Sequence, residues 1–494
     1  MTSEGARDLR REAIASLEAG ALDVFAAAGE EPEVVALVEH GVPVCYGELA
    51  LEVGAELAAW QSLPESAPVA FVAQGDRRTV VRLMAALAVG RTALPLHPRL
   101  PEALRAELVA KLEGAVLLDD ARARALGASA ARELHAGPRA IDPEAIALCL
   151  ATSGSTAAPK LVRLSRRALA ASALASEANL GWRPDDRWLV AMPLGHAGGV
   201  SIVTRCLAAR RAIVLHPGFD AARVLGAIDA EGLTLLSLVP TMLAQLLEAD
   251  RDRALSRLRA VLVGGAACPP ALFAEARARG VPVLATYGLT EAASQATTQP
   301  LAEAREPLGA RRDSGVPLLG FELRVTFEGA PCATGEAGRI ELRGPALHSG
   351  YVGESIHEPA QWLATSDLGR LDANGRLEVL GRSDDVIVSG GENVHPLRVE
   401  AVLASAASVA AALVFGLPDE RWGELVAAAL VLRDGASERE ARAEIAALAD
   451  AELAPFERPR RLAFVEALPL GATGKPDRRR AQRELAPALR VLAR

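Results

Sequence analysis

The feature of this sequence that most constrains its fold is a regular alternation of helical stretches with short apolar segments. The alternation runs through residues 1–150 and continues through residues 185–290. It is typical of an α/β fold. Helices are predicted at Glu48–Gln61, Arg77–Val89 and Glu102–Leu112, and strands at Val69–Val72, Thr92–Leu96, Arg187–Met192, Ala212–Leu215, Leu233–Leu238, Ala260–Val263 and Pro282–Thr286.

The sequence changes character between residues 313 and 381. Short β-like runs at Glu322–Phe327, Gly338–Arg343 and Leu377–Leu380 are separated by glycines, which predicts a small β-rich subdomain. A last section of helix, strand, strand and helix follows, with residues 436–452 expected to form a solvated helix over a small sheet. Because 494 residues are too many for one simple core, we predict two domains, 1–381 and 382–494.

Composition and charge argue against several classes of function. The net charge of −8, with no basic block, argues against a nucleic-acid partner. Residues 1–12 mix both charges and lack an apolar core, so no secretory signal is predicted there and a cytoplasmic location is expected. The longest uncharged run, Ala401–Pro418, favours a short helix and a strand over a membrane span. Five scattered cysteines without a CxxC pair predict free, buried thiols and no metal site.

Lysine is rare in this chain, which makes its positions informative. Only Lys111, Lys160 and Lys475 occur among 54 basic residues, so arginine serves as the general cation. A lysine kept against that background is a candidate for a site that needs a compact ammonium group. Lys160 and Lys475 each end a glycine-containing loop, Thr152–Lys160 and Pro469–Lys475.

The loop Thr152–Lys160 has the composition of an anion-binding turn. It follows a predicted strand at Ala145–Leu150, and its small residues let backbone N–H groups converge on an anion while Lys160 adds charge. It is not the usual nucleoside-triphosphate loop, because no glycine precedes Lys160 and Leu161 follows it. A polar turn that merely ends a strand is the alternative.

Two further segments carry groups that suit a nucleotide. The loop Ala285–Glu291 offers the ring of Tyr287, the hydroxyl of Thr290 and the carboxylate of Glu291, which a nucleotide with magnesium requires. By itself this loop is equally compatible with a capped helix start. The segment Thr365–Gly369 adds Asp367, a candidate partner for sugar hydroxyls.

Taken in order, these segments resemble the adenylate-forming acyl-CoA synthetase superfamily. The resemblance extends from Gly41–Glu48 to Lys475. It implies a large N-terminal adenylate-forming domain, with stacked α/β sheets and a small β subdomain, followed by a smaller, mobile α+β C-terminal domain. Three stretches are most similar to the o-succinylbenzoate–CoA ligases of menaquinone biosynthesis, namely Tyr287–Gln295, Met192–Gly199 and Val239–Leu247.

The resemblance implies ATP, Mg²⁺ and CoA as ligands. Lys475 would bridge the acid and the α-phosphate, Thr290 would touch the α-phosphate, and Glu291 would be the metal ligand. Gly264, Gly265 and Tyr287 would frame the adenine. Asp367 and Arg382 would hold the ribose. The residues that would hold the β- and γ-phosphates are Thr152, Ser153, Gly154, Ser155, Thr156 and Lys160.

The resemblance also implies residues for the acid and for CoA. Asp384 would be the hinge of the C-terminal domain, and Gly390 and Gly391 would line the pantetheine path. The residues implied for the acid are His196, Arg205 and Ser294. Two positions depart from the pattern: Ala157 stands where the family's phosphate loop usually has glycine, and Ser366 replaces the glycine of its Thr-Gly-Asp. Both changes leave the functional side chains in place.

Arg205 lies on a predicted helix that is apolar on most sides, one turn from Ser201. A charge there must meet a ligand, pair internally or reach water. In the resembling ligases a basic residue at this position faces the substrate carboxylate that is not activated. Extension to solvent beside Arg210 and Arg211 is the alternative.

The predicted reaction has two steps, formation of an acyl-adenylate and transfer of the acyl group to CoA. The partners are then an aromatic carboxylic acid and CoA, and homo-oligomerisation is left open. Within the same class, another aryl- or fatty-acyl-CoA ligase or a freestanding adenylating enzyme serving a carrier protein is the alternative. A catalytically silent relative that binds nucleotide is the alternative from another class, and the retention of both loop lysines argues against it.

Overall fold

The computed structural model describes residues 3–118, 141–152, 159–306, 313–470 and 476–492. The helices in these ranges are α1 (Ser3–Glu18), α2 (Val24–Glu30), α3 (Tyr46–Ala59), α4 (Arg77–Val89), α5 (Glu102–Lys111), α6 (Arg166–Leu180), α7 (Ala197–Ala208), α8 (Ala221–Ala230), α9 (Pro240–Ala249), α10 (Pro270–Ala278), α11 (Pro396–Leu403), α12 (Glu438–Glu452) and α13 (Arg478–Leu485). Short 3₁₀ turns include Thr290–Ala292 and Ser383–Asp385.

Up to β12 most strands alternate with these helices, whereas the described strands from β13 to β21 follow one another without an intervening α-helix. They are β1 (Val35–Glu39), β2 (Val42–Cys45), β3 (Val69–Val72), β4 (Ala93–Leu96), β5 (Val116–Leu117), β6 (Ile146–Ala151), β7 (Leu161–Ser165), β8 (Arg187–Val190), β9 (Ala212–Leu215), β10 (Leu235–Leu238), β11 (Ala260–Val263), β12 (Val283–Tyr287), β13 (Thr297–Thr298), β14 (Val316–Pro317), β15 (Glu322–Phe327), β16 (Ala330–Pro331), β17 (Gly338–Arg343), β18 (Leu363–Leu371), β19 (Leu377–Arg382), β20 (Ile387–Ser389), β21 (Glu392–Val394), β22 (Val409–Asp419), β23 (Gly423–Leu432), β24 (Arg461–Phe464) and β25 (Arg490–Val491).

Two largely parallel sheets form the N-terminal part, which confirms the predicted α/β class. The nine-stranded sheet has the order β14-β13-β12-β11-β10-β8-β9-β1-β2, and the five-stranded sheet has the order β5-β3-β4-β6-β7. Strands such as β9 and β11 are buried at all four positions, as expected where helices cover both faces. One apolar core joins residues of both sheets with α3, α4 and α7, and a second packs α8, α9 and α10 on the nine-stranded sheet.

The predicted β-rich region is an antiparallel sheet of order β16-β15-β17-β18-β19. Its strand β18 was not predicted, because the polar, glycine-containing run Thr365–Gly369 shows no alternation. The last sheet has the order β21-β20-β23-β24-β25, with β22 paired to β23. Helix α12 covers it through the buried residues Ala441, Ile445 and Ala449, one turn apart, as the sequence predicted.

Several element bounds differ from those predicted. Helix α3 begins at Tyr46 rather than Glu48, because the Glu48 carboxylate accepts a hydrogen bond from the Cys45 N–H (3.0 Å) and caps the first turn. Strand β8 ends at Val190 because its neighbour β9 ends at the paired Leu215.

The uncharged run Ala401–Pro418 contains the end of α11 and most of β22, as predicted. Among the helices described, none has the length and apolarity to cross a membrane. All five cysteines are free, as predicted; Cys149 and Cys206 are buried, while Cys45, Cys268 and Cys332 are only partly buried.

Candidate active site

The predicted nucleoside residues come together where β12 meets the antiparallel sheet. Tyr287 ends β12, and its hydroxyl donates to Asp367 Oδ2 at 2.7 Å. Strand pairing sets Asp367 opposite Arg382, whose Nε lies 4.0 Å from Asp367 Oδ1. Burial and the Asp367 carboxylate hold the pKa of Tyr287 well above its usual value, so the hydroxyl stays a donor. The Tyr287 ring, the Asp367 carboxylate and the Arg382 guanidinium therefore lie next to one another.

The backbone after Tyr287 turns back sharply. Gly288 approaches the carbonyl oxygen of Ser294 so closely that a Cβ atom would collide with it. Ala293 and Ser294 both have positive φ (49° and 107°), which costs non-glycine residues about 1–3 kcal/mol each. Strain of this kind persists where a local geometry is needed, here around Thr290 and Glu291 in the 3₁₀ turn.

Glu291 and Lys160 are connected through Tyr351, which was not predicted as a site residue. The Tyr351 hydroxyl donates to Glu291 Oε1 at 2.8 Å, and the Lys160 ammonium lies 4.7 Å from the centre of the Tyr351 ring. Lys160 Nζ also pairs with Glu354 Oε1 at 2.8 Å. The only sequence signal for Tyr351 was the rarity of tyrosine, which occurs three times. Glu354 had no comparable signal in the sequence.

The residues around Glu291 fit a magnesium ion that arrives with ATP. In the described ranges, no cluster of three or more His, Cys, Asp or Glu residues could hold a metal by itself. Mg²⁺ commonly binds to one or two carboxylates, and takes its other oxygen ligands from phosphates and water. Glu291 supplies one carboxylate, with a single hydrogen bond on Oε1.

The loop before α7 packs tightly around its histidine. His196 immediately precedes α7, and its ring centroid lies 4.9 Å from that of His97. A Cβ on Gly195 would lie 2.8 Å from the His97 backbone nitrogen, so glycine is required for this approach. Burial lowers the pKa of His97. No local pattern around His97 indicated this role, because its contact with His196 joins residues far apart in the chain.

Arg205 does not reach solvent, and the alternative that it extends to water is wrong. The residue is 2% exposed, because α7 is packed within the core on the Arg205 side. Its Nη2 donates to Ser172 Oγ at 3.3 Å, and its guanidinium lies 5.8 Å from the centre of the Trp188 ring. Ser172 Oγ in turn donates to the Ala293 carbonyl at 3.0 Å, which connects Arg205 to the strained turn that contains Ser294.

No carboxylate within the described ranges pairs with the Arg205 guanidinium. Burial lowers the pKa of Arg205 to about 10, so the group remains charged at neutral pH. Its position in the last turn of α7 is favourable for a cation but only partly compensates the charge. The side chain is therefore a buried positive group suited to an anionic ligand.

The predicted glycines occupy positions that need glycine. A Cβ on Gly264 would lie 2.6 Å from Thr286 Cγ2, and Gly265 has a φ of 76°. Gly390 and Gly391 form the turn of the β20–β21 hairpin with φ values of 65° and 87°. The ligand-binding roles of these four glycines stay predictions.

Asp384 lies in the 3₁₀ turn Ser383–Asp385 between β19 and β20. Its Oδ2 is 3.4 Å from Arg382 Nη2, whereas the Asp385 carboxylate pairs with Arg478 at 3.4 Å. The two adjacent aspartates thus have different ion-pair partners. The hinge role of Asp384 stays a prediction.

Part of the predicted phosphate site falls outside the described residues, namely Ser153, Gly154, Ser155, Thr156 and Lys475. Ala157 is outside them as well. Thr152 is described, and its N–H donates to the Lys160 carbonyl at 2.9 Å, which closes the β6–β7 hairpin below the loop. Thr152 and Lys160 therefore mark the two ends of the predicted phosphate loop.

Comparison with protein families gives two matches in this chain. Residues 24–352 match the AMP-binding enzyme family, and residues 398–475 match the AMP-binding enzyme C-terminal domain. A 2-succinylbenzoate–CoA ligase from Bacillus velezensis is 34% identical over 472 residues, covering 91% of this chain and 95% of that protein.

Solved structures of a related protein share the fold. The o-succinylbenzoate CoA synthetase from Bacillus subtilis, in complex with its acyl-adenylate intermediate, aligns with a TM-score of 0.81 and 31% identity over 93% of this chain and 97% of that one. The same synthetase in complex with ATP and magnesium ion aligns with a TM-score of 0.79 and 32% identity, over 92% and 98% of the two chains.

Proposed function

The chain belongs to the family of AMP-binding enzymes, and we propose that it is an ATP-dependent ligase that converts o-succinylbenzoate to o-succinylbenzoyl-CoA. Relatives of near full-length coverage that carry this activity in their names support the assignment. The small molecules it uses are an aromatic carboxylic acid, ATP and CoA, and we expect the reaction to take place in the cytoplasm.

The observation that carries the choice of acid is the buried Arg205. The Arg205 guanidinium is 2% exposed, donates to the neutral Ser172 hydroxyl and has no carboxylate partner in the described part of the chain, so its desolvation cost is not compensated. An acid with a second carboxylate would supply the missing partner. o-Succinylbenzoate has two carboxylates, of which only one is activated, so its ring carboxylate is free to meet Arg205.

In the first step, an oxygen of the acid attacks the α-phosphorus of ATP. The bond from the α-phosphorus to the bridging oxygen breaks, and pyrophosphate leaves. Lys160 and Lys475 would neutralise the charge that builds on the phosphates, and Glu291 would hold Mg²⁺, which supplies positive charge to the phosphate oxygens. Tyr287, Asp367 and Arg382 would position the nucleoside.

In the second step, the thiolate of CoA attacks the acyl carbonyl carbon of the adenylate, and AMP leaves. Gly390 and Gly391 would line the path of the pantetheine arm, because a glycine turn lets a ligand approach the backbone closely. Asp384 would be the hinge that reorients the C-terminal domain between the steps. We place the boundary at residues 381 and 382; the end of β19 at Arg382 and the start of a new sheet at Ile387 support it.

Pyrophosphate release tests the reaction class. The protein is mixed with ATP, Mg²⁺ and one acid at a time. The acids are o-succinylbenzoate, benzoylpropionate (o-succinylbenzoate without its ring carboxylate), benzoate and a medium-chain fatty acid. We expect the fastest release with o-succinylbenzoate. Faster release with the fatty acid or benzoate would favour the alternative ligases, and no release with any acid would favour a silent nucleotide-binding protein.

A further inference from the structure

Tyr351 is attached by its backbone to both halves of the proposed phosphate site. Residue 351 forms an antiparallel bridge with Val162, and the Val352 N–H donates to the Leu161 carbonyl at 2.9 Å. Tyr351 therefore lies beside the first residues of β7, directly after Lys160. On its other side, the His348 N–H donates to the Glu291 carbonyl at 2.8 Å.

The hydroxyl and the aromatic ring of Tyr351 contact two different residues, Glu291 and Lys160. Its hydroxyl donates to Glu291 Oε1 at 2.8 Å, and its ring lies under the Lys160 ammonium at 4.7 Å. A phenol has one strong donor at its tip and an electron-rich face, so it can orient an anion and attract a cation at once. Phenylalanine would keep the second contact and lose the first.

We propose that Tyr351 is a positioning residue that couples the magnesium ligand Glu291 to the phosphate lysine Lys160. This inference rests on the proposed function. The hydrogen bond holds one carboxylate oxygen and leaves Oε2 of Glu291 for the metal, since the Tyr351 hydroxyl is the one donor found on this carboxylate among the described residues. The ring keeps the ammonium near the carboxylate without neutralising it, because the contact is to a neutral π face.

Glu354 gives the lysine a second, displaceable partner. The Lys160–Glu354 pair is half-exposed, at 53% and 50% of the two side chains, so it contributes little and can be exchanged for phosphate oxygens. Arg163 holds the turn that carries Glu354 by donating to the carbonyls of Glu354 (3.0 Å) and Ser355 (3.2 Å). When ATP binds, Lys160 would leave Glu354 and stay over Tyr351.

The test compares Tyr351→Phe, Tyr351→Leu and the matched control Tyr46→Phe. Tyr46 is more deeply buried than Tyr351, at 1% exposure, and in the described part of the chain its hydroxyl donates only to the backbone carbonyls of Cys206 and Arg211. Two quantities are measured: the Mg²⁺ concentration that gives half-maximal pyrophosphate release, and the calorimetric affinity for a non-hydrolysable ATP analogue with and without Mg²⁺. Thermal unfolding of each variant controls for general damage.

Tyr351→Phe is expected to raise the half-maximal Mg²⁺ concentration about tenfold, the effect expected when a partner of a metal ligand is removed. Its affinity for the analogue without Mg²⁺ should stay within about twofold of wild type, since the ring over Lys160 is kept. Tyr351→Leu should show the same magnesium defect and also lose about fivefold in magnesium-free affinity. Tyr46→Phe should change neither quantity.

Two results would overturn this inference alone. If Tyr351→Phe keeps the wild-type magnesium dependence, or if Tyr46→Phe shifts that dependence equally, Tyr351 does not position Glu291. In either case the proposed function would still hold, provided that the wild-type protein binds the ATP analogue. A wild-type protein that does not bind the ATP analogue at all would overturn the proposed function and this inference together.

Discussion

Replacing Arg205 with leucine gives the sharpest prediction about substrate choice. The pKa of about 10 for this arginine, against an ordinary value of 12.5, means that burial disfavours the charged form by roughly 3 kcal/mol. The hydrogen bond to the neutral Ser172 hydroxyl and the contact with the distant Trp188 ring stabilise the charged guanidinium by only about 1–2 kcal/mol in total. The free enzyme therefore carries a net cost for Arg205, which a substrate carboxylate would offset.

Two consequences of Arg205→Leu follow. The kcat/KM for o-succinylbenzoate should fall about 10–150-fold, equivalent to about 1.5–3 kcal/mol of lost transition-state stabilisation. The kcat/KM for benzoylpropionate, which lacks the ring carboxylate, should hardly change. The melting temperature of the ligand-free variant should be equal to or above that of the wild type, since an uncompensated buried charge has been removed.

Arg210 provides the matched control. It is also largely buried, at 8% exposure, but it pairs with Glu30 at 3.0 Å and donates to three backbone carbonyls. Arg210→Leu should lower the melting temperature and leave the ratio of kcat/KM for the two acids unchanged. Equal losses of kcat/KM for both acids in Arg205→Leu, together with a lower melting temperature, would show that Arg205 is structural and would refute the assignment of the acid.

Three other substitutions test the remaining roles. Lys475→Ala should lower acyl-adenylate formation roughly 10²–10³-fold, while CoA attack on a supplied acyl-adenylate stays largely intact; equal loss in both half-reactions would contradict a role confined to the first. Asp384→Pro should keep one half-reaction and lose the other, because proline locks φ near −65°, and a variant that runs both at normal speed would exclude the hinge. Tyr287→Phe removes the hydrogen-bond donor to Asp367 and should raise the KM for ATP about 3–10-fold with little change in kcat, as measured by pyrophosphate release. An unchanged KM would show that Tyr287 does not contribute to nucleoside binding.

The parts of the fold that could be predicted are those with a strong local pattern. Strands such as Ala260–Val263 and Glu322–Phe327 have the predicted bounds, because apolar runs buried on both faces and regular alternation are both visible in a short window. Strand β18 lacked such a pattern. Its polar middle is stabilised by pairing with β17 and β19, which no window around Asp367 contains.

The candidate site shows the same division. Contiguous motifs predicted Tyr287, Glu291 and Asp367 as site residues, but could not predict how these groups pair in space. The hydrogen bond from Tyr351 to Glu291 joins residues 60 positions apart, and that from Tyr287 to Asp367 joins residues 80 apart. The helical period around Arg205 correctly predicted an apolar stripe, but it could not predict which elements pack on that stripe. Whether that arginine faced water or the interior depended on packing with other helices.

The most direct test of the proposed reaction is product formation from o-succinylbenzoate, ATP and CoA in the presence of Mg²⁺. Products are identified by mass spectrometry over time. We expect o-succinylbenzoyl-CoA, AMP and pyrophosphate in equal amounts, and o-succinylbenzoyl-adenylate should accumulate when CoA is left out. Release of ADP and phosphate, or a lack of adenylate and thioester when ATP binding is demonstrated in the same sample, would contradict it.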